Sequence, residues 1–106
     1  MNLRALMLAA AIVAGLACTA QAGEVHNRLE NQQDRIAAGV ARGQLTPGET
    51  ARLESRDAAI NQRRRADLRA NGGHLTAAEY RNLNRRENNV SRAIYRDRHN
   101  AAVFGR

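Results

Sequence analysis

The chain has 106 residues, 17 of them arginine and none lysine, against 10 acids and three histidines, for a net charge of +7. A single cysteine excludes an internal disulfide, and three aromatic residues leave almost nothing on which nucleobases could stack. This length allows one small domain.

Residues 1–22 read as a cleaved signal peptide. Arg4 supplies the positive start, residues 5–17 form an uncharged apolar run, and Ala20-Gln21-Ala22 places small residues where a signal peptidase cuts, before Gly23. The run is shorter than the ~20 residues that span a bilayer, so the mature chain is expected to have no stable membrane span. Cys18 lacks the bulky aliphatic three residues earlier that lipidation requires, because that position is Gly15. The expected location is the periplasm or the exterior, and the mature chain, 23–106, is expected to be a single three-helix domain without a thiol.

Punctuation along the mature chain predicts helices over about 24–42, 47–70 and 77–99. Gly43-Gln44-Leu45-Thr46-Pro47-Gly48-Glu49 recurs thirty residues later as Gly73-His74-Leu75-Thr76-Ala77-Ala78-Glu79. Gly43 and Gly73 can take the left-handed conformation that stops a helix. Thr46 and Thr76 are N-caps, and Glu49 and Glu79, three residues on, close capping boxes. Pro47 suits the first helical position, and Leu75 with Tyr80 has the spacing of a hydrophobic staple. The correspondence extends to Leu53 and Leu83, Arg56 and Arg86, Asp57 and Glu87, and Ile60 and Val90. No segment alternates with period two. The expected fold is all-α: three helices in antiparallel hairpins joined by two capping-box turns.

The apolar stripes are narrow. The first helix offers Val25, Leu29, Ile36 and Val40, with Gln32 and Gln33 interrupting. The second offers Leu53 and Ile60, with Arg64 standing where its neighbours have Val40 and Ile94. The third offers Tyr80, Leu83, Val90, Ile94 and Ala101. A core this small predicts marginal stability, loosest around Arg63–Asn71, and a homodimer would supply the missing burial.

Gly43, Leu45 and Glu49, and likewise Gly73, Leu75 and Glu79, resemble the second half of an EF-hand loop. The earlier ligand positions, Ala38, Val40 and Arg42, then Leu68, Ala70 and Gly72, carry no side-chain oxygen, so no calcium is expected. Leu45-Thr46-Pro47-Gly48-Glu49 and Leu75-Thr76-Ala77-Ala78-Glu79 also resemble the paired LT-x-x-Q motifs of periplasmic helical chaperones of the LTxxQ family, with Glu replacing Gln. The chain is more similar to small uncharacterised exported proteobacterial proteins with the pattern R-I-x-x-G-x-x-x-G-x-L-T-x-x-E, met here by Arg35-Ile36, Gly39, Gly43, Leu45, Thr46 and Glu49. This resemblance implies a helical fold and an exported location but no activity.

Charge is uneven: residues 23–60 carry net −1 and residues 61–106 net +7. At 100° per residue, Arg81, Arg85, Arg92, Arg96 and His99 fall on one face of the third helix with Asn88 and Asn89, opposite Leu83, Val90 and Ile94. No acid falls on that face, and Arg63 and Arg64 form a second cluster with Arg65. The expected partner is an anionic envelope component or a protein, not nucleic acid, given the export signal. His26, His74 and His99 are the candidate metal ligands, but one copy brings His26 and His74 to one end and His99 to the other, so no metal and no cofactor is expected. Ser55 and Ser91 have no histidine at helical spacing. No buried carboxylate pair is expected, and the thin core leaves little room for a ligand pocket of several hundred Å³. The chain therefore reads as a non-enzymatic binding or chaperone-like protein. The alternatives are a metal-responsive protein using the histidines and an envelope protein that associates with itself.

Overall fold

A computed structural model describes the backbone of residues 3–100 and the side chains of residues 21–100. It consists of α1 (Leu3–Ala41), α2 (Pro47–Ala70) and α3 (Ala77–Asn100), with no strand among the described residues. Each helix packs against the other two. The expected starts of the second and third helices hold. The first helix differs, because it runs unbroken through the junction at Ala22 and Gly23 instead of beginning near residue 24. A Cβ added at Gly23 would meet nothing within 4 Å, while Ala22 belongs to the core. Cys18 and Ala101 lie outside the residues whose side chains are described.

Both turns work by the chemistry of their residues. In the first, Gly43 has φ 67°, and Gln44 N–H donates to Gly39 O at 2.8 Å while Gly43 N–H donates to Val40 O at 3.0 Å. This double bond pattern is a Schellman stop. Thr46 Oγ1 then accepts from Glu49 N–H at 3.1 Å, and Glu49 Oε1 accepts from Thr46 N–H at 2.9 Å. The second turn has the same box, at 3.1 Å for Thr76 Oγ1 and 2.8 Å for Glu79 Oε1. Its stop comes one residue earlier. Gly72, at φ 65°, takes the left-handed position, and Gly73, at φ 94°, donates to Leu68 O at 2.7 Å. Gly73 is thus the residue after the stop, because Asn71 already caps α2.

The core is Ala22, Val25, Leu29 and Ile36 from α1, Leu53 and Ile60 from α2, Leu83, Val90, Ala93 and Ile94 from α3, and the turn residues Leu45 and Leu75. Leu68 and Tyr80 pack against its edge. Burying each large aliphatic side chain contributes roughly 1.5–3 kcal/mol before conformational entropy is counted. Val40 is not part of this core. It is 48 % exposed, because the inward position in the last turn of α1 is Gly39, with Leu45 folded across it.

Candidate functional site

The third helix sorts its charges by face. Arg81, Arg85, Arg86, Arg92 and Arg96 are exposed, whereas Glu87 and Asp97 are buried and Glu79 is occupied by its capping box. The period explains the sorting: Glu87 lies on the stripe of Leu83, Val90 and Ile94, and the arginines lie away from it. Arg92 bonds to Asn89 and Arg96 Nε lies 3.4 Å from Asp97 Oδ1, which tethers two of the outward cations to their own helix. His99 is exposed, stacked on Tyr95 with ring centroids 3.7 Å apart, and its Nδ1 lies 2.6 Å from Tyr95 O. Asn88 departs from the expected stripe, because its Oδ1 turns to α1 and accepts from Arg28 Nη2 at 2.7 Å.

Arg63 and Arg64 do not extend this face. Arg63 pairs with Asp67 at 3.4 Å. Arg64 is half-buried and donates twice to Asn61 Oδ1 on its own helix, at 3.2 and 2.8 Å. Other arginines join helices through neutral groups. Arg28 donates to Asn84 and Asn88, Arg35 to Ser91 Oγ at 2.7 Å, and Arg98 to Gln44 Oε1 at 2.7 Å.

Contrary to the sequence expectation, the bundle buries two carboxylates on its apolar stripes. Asp57 and Glu87, thirty residues apart, stand on the inward stripes of α2 and α3, and Gln32 is buried on α1, where its Nε2 donates to the Glu87 backbone carbonyl. Burial pushes the Glu87 carboxyl up to about 7; the Arg28 charge offsets part of this, and Asp57 adds to it. Burial likewise pushes Asp57 up to about 6, against a hydrogen bond from Gln33 Nε2 to Asp57 Oδ2 at 3.1 Å and the Arg56 charge. Burial, then the bond its hydroxyl donates to Glu24 at 3.0 Å, raises the Tyr80 phenol above its ordinary value. The signal was in the sequence: Asp57 is four after Leu53 and three before Ile60, and Glu87 has the same spacing from Leu83 and Val90.

Two of the grooves that open between helices adjoin these residues. One of about 200 Å³, between α2 and α3, has Ile60, Val90 and Ala59 as apolar lining and Arg56, Arg86 and Asn89 as polar lining. The other, of about 450 Å³ between α1 and α2, is lined by His26, Leu29, Glu30, Gln33, Glu54, Asp57, Ala58 and Asn61. It exceeds the room expected from the thin core, because the small side chain Ala58 and polar residues face α1 where large apolar ones would close the gap. His26 pairs with Glu30 at 3.0 Å. Among the described residues no three His, Cys, Asp or Glu side chains gather as a metal site. In the turns, Glu49 and Glu79 are engaged by the capping boxes. No helix is long and apolar enough to cross a membrane among the described residues.

No family model, curated protein or solved structure matches the chain.

Proposed function

We propose that this is an exported, non-enzymatic helical binding protein whose outer α3 face holds anionic or partly unfolded partners in the periplasm. The observation that carries the reading is the charge sorting on α3, with Arg81, Arg85, Arg92 and Arg96 exposed and the helix's carboxylates turned inward or capped. Two adjoining features support it. The Tyr95–His99 stack, with Tyr95 60 % exposed, offers a flat apolar contact at one end of the stripe. The groove lined by Ile60 and Val90 between Arg56 and Arg86 could seat an apolar side chain of a partner whose acids meet the guanidiniums. Exposed guanidiniums attract anions over roughly 8 Å at physiological ionic strength, so the interaction is expected to weaken with salt.

The test is suppression of aggregation of an acidic client protein, at low and at high salt, by the wild type and by a variant with Arg81, Arg85, Arg92 and Arg96 changed to Glu. Activity that is lost on charge reversal and reduced by salt supports the reading. Activity unchanged by the reversal rejects it.

A further inference from the structure

Each helix buries a polar side chain in the interior. Gln32, Asp57 and Glu87 are 2, 2 and 0 % exposed, and four of their oxygens, Gln32 Oε1, Asp57 Oδ1 and both Glu87 Oε atoms, have no hydrogen-bond donor. All four are acceptors. The hydrogen bonds nearby go elsewhere: Gln32 Nε2 donates to the Glu87 carbonyl at 2.7 Å, Gln33 Nε2 to Asp57 Oδ2, and Arg28 to Asn84 and Asn88. Arg28 Nη1 comes no nearer to Glu87 Oε1 than 3.7 Å, which gives charge attraction without a hydrogen bond. Buried acceptors without donors destabilise a fold, and here the excess is entirely on one side.

We propose that the buried carboxyls of Glu87 and Asp57 are proton-binding groups: a proton taken up there removes a buried charge that has too few donors around it, and so holds the three helices together. The proton comes from hydronium, leaving water, and returns to water or a buffer base as pH rises. The groove between α1 and α2 has Asp57 in its wall, which gives a proton a short route from solvent to Asp57. The groups facing the site are Arg28 and Glu24 from α1 and Arg64 from α2 around Glu87, and Gln33 from α1 and Arg56 of α2 itself around Asp57. A metal is the poorer occupant, because no third His, Cys, Asp or Glu ligand joins the two carboxylates among the described residues and the Arg28 guanidinium is beside them. Proton release leaves two buried like charges, so the bundle loosens as pH passes upward through neutrality. This inference does not depend on the reading of the α3 face.

The experiment is thermal unfolding of the full chain near pH 5 and near pH 8, for the wild type and for Glu87→Gln, whose amide supplies donor hydrogens at every pH. The expected result is a wild type that melts higher near pH 5, and a variant that has lost most of this difference and melts at or above the wild type near pH 8. A wild-type melting temperature equal at the two pH values, or a variant with the full wild-type pH dependence, overturns the proposal. Should the variant not fold, carbon-13 carboxyl titration of the wild type decides. A Glu87 or Asp57 midpoint near 6–7 upholds the site, and ordinary midpoints below 5 for both remove it.

Discussion

Arg28 and Glu87 pair unequally across the α1–α3 interface: at 3.7 Å, the carboxylate is wholly buried while the guanidinium side chain is 32 % exposed. The Arg28 hydrogen bonds go to Asn84 and Asn88, so it offers Glu87 charge and little else. Arg28→Met keeps most of the apolar stem and removes the charge. Near pH 8, where Glu87 is largely ionised, the substitution should destabilise by about 2 kcal/mol, a value set below that for a fully buried pair because Arg28 is partly solvated. Near pH 5 the loss should be clearly smaller. Urea unfolding at both pH values measures this, and equal losses would show that only the asparagine bonds matter.

The pH dependence of the wild type has a definite sign. The folded-state values of about 7 for Glu87 and about 6 for Asp57 lie above the ordinary 4.5 and 3.8. The native state therefore binds more protons than the unfolded chain between about pH 4 and pH 7. Stability is fully present below that window and is lost as pH rises through it, by an amount on the order of 3 kcal/mol for each group. Glu79 acts oppositely. The bond from the Thr76 backbone N–H holds its carboxyl below the ordinary range, so its contribution disappears as pH falls. Maximal stability is expected near pH 5, and melting curves from pH 3 to pH 9 should show a decline toward pH 8.

How much of this was visible beforehand follows from local chemistry. The turns were legible because Gly, Thr and Glu act there within seven residues of one another, and both capping boxes form. The one-residue difference in the second stop was not, since Gly72 and Gly73 are both able to adopt positive φ and the choice depends on where Asn71 caps α2. The α3 stripe followed from its period. Asp57 and Glu87 were hidden by the assumption that carboxylates interrupt an apolar stripe, when they occupy it. Sequence spacing alone does not say that two acids are buried in one interior.

Glu79 should matter more than Glu49, although both close capping boxes. Glu79 Oε1 also accepts from Asn71 Nδ2 at 2.7 Å, which ties the end of α2 to the start of α3. Glu49→Ala should cost about 1 kcal/mol and Glu79→Ala about 2 kcal/mol. A double-mutant cycle of Asn71→Ala with Glu79→Ala should give a coupling of about 1 kcal/mol in denaturant unfolding. Additive losses would mean that the Asn71 bond contributes nothing.

Gly39 is the glycine whose replacement should go against helix propensity. Alanine is better than glycine in a helix interior by roughly 1 kcal/mol. A Cβ at residue 39 would, however, lie 2.8 Å from Leu45 Cδ1, 2.9 Å from Leu45 Cγ and 3.1 Å from Arg98 Cγ. Leu45 would have to leave the core, and Arg98 would be displaced from Gln44 and from the Arg35 carbonyl. Overpacking of this kind costs about 1–3 kcal/mol, enough to exceed the propensity gain, so Gly39→Ala should be destabilising. Gly48 is the control: it lies in the first turn of α2, and nothing comes within 4 Å of an added Cβ. Gly48→Ala should stabilise by roughly 0.5 kcal/mol through the unfolded chain. Thermal unfolding of the two variants side by side should move the melting temperature in opposite directions. A rise for both would mean that Leu45 does not rest on Gly39 as tightly as the geometry requires.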